Sequence, residues 1–238
     1  MDPESLNELR QSMAGGVVGP EDAEYDAARR CFNALVDRRP AVIARCVGAG
    51  DVAAAFDFAR THELEVAVRG GGHNPAGHCV CDGGLVVDLS LMRSVEVDGD
   101  ARTALADGGA TWLDFDAATQ SRGLVTPGGV VGSTGVAGLT LGGGIGHLTA
   151  QYGLTCDNLV GAELVTPDGT VVQTGPDENA ELLWASAARG AISASQRDWS
   201  FVYSRSSGSS AACSPLPGTE SARRFATTGT SPLLRRGT

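Results

Sequence analysis

The chain has 238 residues, with 28 acidic side chains, 18 basic ones and four histidines, for a formal net charge of −10. That balance excludes a nucleic-acid binder that offers a basic face to phosphates, and no apolar run is long enough to span a bilayer. The opening MDPESLNELRQSM lacks the basic start and apolar stretch of a secretory signal, so a cytoplasmic chain is expected.

The elements follow in chain order. PEDAEYDAARRCFNALVDRRP has helical spacing and ends at Pro40, making residues 1–34 an N-terminal helical segment. AVIARC reads as a strand. GDVAAAFDFARTHEL reads as a helix, with Asp51 placed to cap its first turn. EVAVRG is a strand that runs into GGGHNPAGH, and GLVVDLS, SVEVDGD and RTALADGGA are strand-like with short turns between them. TWLDFDAATQSRGL is a helix closed by Gly123. A glycine-rich stretch, 128–146, precedes a hairpin, AELVTPDGTVVQTG, that turns at Pro167-Asp168-Gly169. DENAELLWA starts a last helix. Interleaved strands and helices predict an α+β fold of two subdomains, about 35–95 and 96–185, with function on the glycine loops. The six cysteines are scattered and read as reduced thiols. Cys79-Val80-Cys81 has no second pair to complete a metal site, so no metal is expected.

Two loops carry chemistry. In VRGGGHN, three glycines after a strand let the backbone approach a ligand and aim successive N–H groups at it, as suits a pyrophosphate. Arg69 adds charge, and His73 stands at the loop's end within reach of a ligand. A tight turn with an incidental histidine is the competing reading. The second loop, PGGVVGSTGVAGLTLGGGIGHL, makes a poor dinucleotide fingerprint, because it follows no clear strand and its third glycine is misplaced. Its interleaved Val, Leu and Ile favour a packed loop over a linker.

In order and spacing, RGGGHNPAG, DGGLVVDLSLM, GGVVGSTGVAGLTLGGGIGHLTAQYGLTCDNL, AELVTPDGTVV and ENAELLWA resemble the flavin domain of FAD-linked oxidases of the vanillyl-alcohol oxidase and berberine-bridge type, nearest to their 6-hydroxynicotine oxidase-like branch. The resemblance covers residues 30–185 and implies a PCMH-type FAD-binding domain. It implies that Arg69, Gly70, Gly71 and Gly72 cradle the FAD pyrophosphate and that Asn74 and Gly77 also bind the cofactor. It implies that His73 bonds covalently to the flavin 8-methyl carbon. Ser133, Thr134, Gly135, Gly138, Gly142, Gly143, Gly144 and Gly146 would wrap the pyrophosphate and ring edge. Many relatives add a cysteine bond where this chain has Val131, so a single attachment is implied. Thr134 matches a small gate residue for oxygen. Asp157 and Asn158 would hold their loop, and His147 reads as structural. The implied activity is hydride transfer from a small-molecule substrate to flavin with dioxygen as acceptor. The alternatives are a flavin dehydrogenase using another acceptor and an inactive fragment.

Beyond LLWA the family pattern stops. Seven arginines but only Asp198 and Glu220 follow Ser186, in a Ser/Gly/Thr-biased stretch without sustained period. Lysine is absent and arginine abundant, as in a GC-rich gene. Read one base back, Ala185 onward permits ALRGAGGNFGVATGLEF, the strand that the family places there. Residues 209–214 permit VLGGLL, and 225–232 permit VRDYRDFT. The expectation is that 186–238 is an out-of-frame, disordered tail and that the flavin domain is incomplete at its C-terminal end. A natural polar tail is the other reading. The family's substrate walls and catalytic side chains belong to the missing part, so no catalytic residue is assigned.

Overall fold

The computed structural model describes residues 1–188 together with three short strands, 202–203, 209–212 and 214–215. Helix α1 (Pro3–Ser12) starts where Asp2 accepts the Ser5 N–H at 2.9 Å, with Pro3 at its first position, where no intrahelical donor is needed. Strand β1 (Gly16–Val18) follows and pairs antiparallel with β2 (Val42–Arg45). The first 34 residues thus contribute a strand as well as helix. Between them, only α2 (Tyr25–Ala28) of the long helical-looking segment is helical. The competing forces are tertiary. The Phe32 N–H bonds the Gly72 carbonyl at 3.0 Å, and Arg38 donates to the carbonyls of Gly77 and Val80.

Helix α3 (Ala49–Thr61) crosses from β2 to β3 (Val66–Arg69), and β4 (Leu85–Asp88) lies between β2 and β3, parallel to both. Asp51 is the third residue of α3, whose N-cap is Gly48; its carboxylate bonds the N–H groups of Val47, Ala14 and Gly15, so it ties the N-terminal segment to the helix start. Every residue of β4 is buried. Leu85 and Val87 enter the cluster under α3, and Val86 enters the opposite one with Ile43 and Ala67. Burial on both faces explains the unbroken apolar run, and each such side chain contributes about 1.5–3 kcal/mol.

The second sheet is antiparallel. Its hairpin is β5 (Val95–Asp98) with β6 (Thr103–Ala106). Helix α4 (Trp112–Gln120) begins with a reciprocal box in which Thr111 and Asp114 bond each other's end, and the chain turns after it at Gly123, φ +69°. Trp112 and Phe115 carry its core contacts. After β7 (Leu124–Val125), the glycine-rich stretch holds α5 (Val136–Leu141), and α6 (Thr149–Tyr152) and a 3-10 turn, Cys156–Asn158, follow it. Strands β8 (Leu159–Val165) and β9 (Val171–Thr174) form the hairpin, turning at Gly169 with φ +84°, and α7 (Ala180–Ala188) follows.

The first sheet draws its strands from residues 16–88 and the second from 95 onward, which makes the α+β class plain. In the segment expected to be a tail, three strands are described. β10 (Val202–Tyr203) pairs with β8, β11 (Ser209–Ala212) lies between β8 and β6, and β12 (Ser214–Pro215) pairs with β7. A ladder needs only backbone N–H and C=O groups, so the edges of β6 and β8 can pair with a sequence that has no apolar period. The rest of 189–238 lies outside the described residues. Among the described residues no helix is long and apolar enough to cross a membrane, and no group of side chains could hold a metal ion.

Candidate cofactor site

The site starts at the carboxyl ends of the parallel strands β3 and β4. Arg69 and Asp88 close these strands in register. Sequence reasoning gave the Arg69 charge to a ligand, but the structure uses it inside the fold. Its Nη2 lies 2.7 Å and its Nε 3.2 Å from the two Asp88 oxygens, and both side chains are buried. Its Nη1 donates to the carbonyls of Ala28 at 2.6 Å and Arg30 at 3.3 Å. The guanidinium therefore ties the segment after α2 to the root of the first loop.

What Arg69 anchors is the run Gly70–Asn74. The N–H groups of Gly71, Gly72, His73 and Asn74 donate no hydrogen bond among the described residues. The run packs backbone to backbone on the second loop. A β-carbon at Gly71 would lie 2.3 Å from the Gly135 nitrogen, and one at Gly70 would lie 2.7 Å from the Gly108 carbonyl oxygen. Gly72 has φ +70°. These positions admit no side chain, which is the physical reason for three successive glycines.

His73 is half-buried between the two loops. Ser133 Oγ lies 3.0 Å from its Nε2 and Thr134 Oγ1 3.4 Å from its Nδ1. Phe32 stacks on its face, with ring centroids 4.2 Å apart and planes 17° apart. The structure thus brings Gly70–His73 together with Ser133, Thr134 and Gly135. Sequence reasoning missed Phe32, because RRCFN reads as helix; its only signal was an aromatic beside a basic pair.

The other expected residues are placed differently. Asn74 is exposed, and its side-chain oxygen bonds the N–H groups of Ala76 and His78, closing its own loop. Gly77, φ +73°, is buried against Val36. Gly138 and Gly142 are exposed around α5. Gly143 and Gly144 have positive φ, and a β-carbon at Gly144 would lie 2.1 Å from Thr155 Oγ1. Gly146 folds against the Gly128 carbonyl, where a β-carbon would lie 1.7 Å from the oxygen. Gly144 and Gly146 thus pack the second loop upon itself. Asp157 bonds the Leu154 N–H, and Asn158 bonds the carbonyls of Tyr152 and Leu154, so both hold the loop. His147 is exposed. Val131 is 49% exposed, and its carbonyl accepts the Thr134 N–H at 3.0 Å. Cys79 and Cys81 are buried, and burial raises both thiols above the usual range, Cys81 to about 11.

Two glycine loops, one following a parallel strand and the other threading α5, define a protein of the nucleotide-cofactor-holding α+β class. The FAD binding domain family matches residues 40–175, and the chain belongs to that family. It is 42% identical over 174 residues to (R)-6-hydroxynicotine oxidase of Paenarthrobacter nicotinovorans, a match that covers 73% of this chain and 38% of that protein. It is 38% identical over 185 residues to FAD-linked oxidoreductase pgmH of Aspergillus terreus, covering 76% of this chain and 38% of that one. The crystal structure of 6-hydroxy-D-nicotine oxidase from Arthrobacter nicotinovorans superposes with a TM-score of 0.80 at 37% identity, over 87% of this chain and 43% of that chain. The chain therefore spans about two fifths of the length of these relatives.

The residues present fit the cofactor that the family name implies. The cradle between Gly71 and Gly135 excludes any side chain, and N–H groups that have no partner among the described residues line the first loop. Unpaired donors of this kind suit phosphate oxygens.

Proposed function

We propose that this chain is the cofactor-holding domain of an FAD-linked oxidase, with FAD attached through His73 alone. Bound FAD would accept a hydride from a small-molecule C–H bond and pass its electrons to dioxygen. Gly70–Gly72 and Ser133–Gly135 would cover the pyrophosphate, with the N–H groups of Gly71 and Gly72 as donors, and the hydroxyls of Ser133 and Thr134 would hold the imidazole. Thr134, small and beside His73, would leave oxygen a path. The position that would hold a second attachment is Val131, which has no thiol to offer. The compartment we propose is the cytoplasm, in keeping with five free cysteines among the described residues. The observation that carries this reading is His73 itself, which ends the glycine loop with a hydroxyl on each ring nitrogen. After incubation with FAD and denaturation in acid, the wild-type chain should keep fluorescent flavin, and His73→Ala should not. Flavin retained by His73→Ala, or a colourless wild type, would contradict the proposal. An alternative acceptor is tested on the same sample: photoreduced flavin that stays reduced in air marks a dehydrogenase.

A second reading, that the chain is inactive, is favoured by the sequence after Ser186, which departs from the family pattern. We tie it to the frame. Asp198-Trp199 leaves only leucine for the codon read one base back, and the three hidden segments fall in family order. The gene around codon 186 should therefore read on in the second frame through Asn-Phe-Gly. A stop codon there, or no such tripeptide, ends the frame reading while leaving the cofactor reading intact.

A further inference from the structure

We propose that Phe32 is a positioning residue for His73, setting the plane of the imidazole before the cofactor arrives. The inference rests on the reading of His73 as the attachment site. An imidazole on a glycine loop has two side-chain torsions to fix. Ser133 and Thr134 act in the plane of the ring through its two nitrogens, at 3.0 and 3.4 Å. They leave the tilt of the plane loosely set, because hydroxyls rotate to follow a ring. The stacked Phe32 ring, 4.2 Å away and 17° from parallel, supplies the missing constraint.

Packing does not explain why Phe32 is there. The residue is 69% exposed and belongs to no core cluster among the described residues. Its backbone is nevertheless tightly held. Its N–H bonds the Gly72 carbonyl at 3.0 Å, one residue before His73. Asn33 Nδ2 donates to the Pro75 carbonyl at 2.8 Å, two residues beyond His73. Upstream, buried Arg69 binds the carbonyls of Ala28 and Arg30. The Phe32 segment and the His73 loop are thus joined on both sides of the stacked pair, which holds the two backbones in fixed relation. An exposed aromatic held this firmly against one polar ring acts on that ring.

In attachment, His73 forms a new N–C bond to the 8-methyl carbon. One C–H bond of that methyl and the imidazole N–H bond break, and the two hydrogens with two electrons end on dioxygen as hydrogen peroxide. A ring free to tilt reaches the required approach less often, which should slow attachment about tenfold, short of the roughly hundredfold that a misplacement of about 1 Å costs.

The test follows acid-stable flavin against time in the full chain supplied with FAD, for wild type, Phe32→Ala, Phe32→Tyr and His73→Ala. Phe32→Ala should attach flavin about tenfold more slowly or worse, with dissociable FAD binding in anaerobic buffer unchanged. Phe32→Tyr, which keeps the ring, should restore the rate. Attachment by Phe32→Ala at the wild-type rate overturns the proposal. A second readout needs no cofactor: the His73 ring protons should be shifted upfield in the wild-type NMR spectrum and return toward ordinary positions in Phe32→Ala. If wild type and His73→Ala alike attach nothing, the covalent reading fails, and the NMR shift still decides the role of Phe32. No upfield shift in the wild type overturns it.

Discussion

Gly71→Ala should cost the protein most of its flavin while leaving its fold in place. The added methyl carbon would meet the Gly135 nitrogen at 2.3 Å and its Cα at 2.6 Å. Both are backbone atoms and cannot rotate away, so the two loops must separate. Overpacking of this kind costs about 1–3 kcal/mol. If that strain falls on the bound form, affinity for FAD drops about five- to 150-fold. Gly138→Ala is the matched control, since nothing lies within 4 Å of its added carbon. Titration of each purified variant with FAD, followed by flavin fluorescence quenching, separates the two. Equal affinities would mean that contact between the loops does not shape the site.

Asp88→Ala should be the most destabilising single change near the site. It removes both oxygens that Arg69 uses and leaves a buried guanidinium with only carbonyl partners. Breaking a buried pair from one side costs about 3–5 kcal/mol, a large share of the stability of a domain this size. Removing both charges together, Arg69→Met with Asp88→Leu, should cost less than the single change, because no unpaired charge remains. Urea unfolding followed by circular dichroism measures both. A double variant less stable than Asp88→Ala would show that the carbonyl tethers of Arg69 matter more than the charge balance.

The parts of the fold that local physics dictates were legible in the sequence. The unbroken Val-Val run of β4, the Thr111 start of α4 and the Pro167-Asp168-Gly169 turn each carry their cause in adjacent residues. Residues 29–39 were not legible, because helical spacing there is overridden by bonds to a loop some 40 positions away. The same distance hid Phe32. The glycines of the site were legible as a motif, but their work was not. Gly71 and Gly135 serve contact between the loops, whereas Gly144 and Gly146 pack the second loop on itself. Arg69 shows the limit of reading charge from sequence. A lone arginine beside a glycine loop suggests an anion, and only the register of β3 on β4 reveals Asp88 as its partner.

We propose that the two glycine loops hold FAD and that His73 binds it covalently. Tryptic digestion of the FAD-treated full chain and mass spectrometry of the peptide ending at Arg93 test it most directly, since that peptide begins at Gly70 and contains His73. This peptide should carry the mass of the flavin nucleotide, with fragment ions placing it on His73. An unmodified peptide from a protein that has bound FAD, or a flavin mapped to His78 or to Cys79, would contradict it.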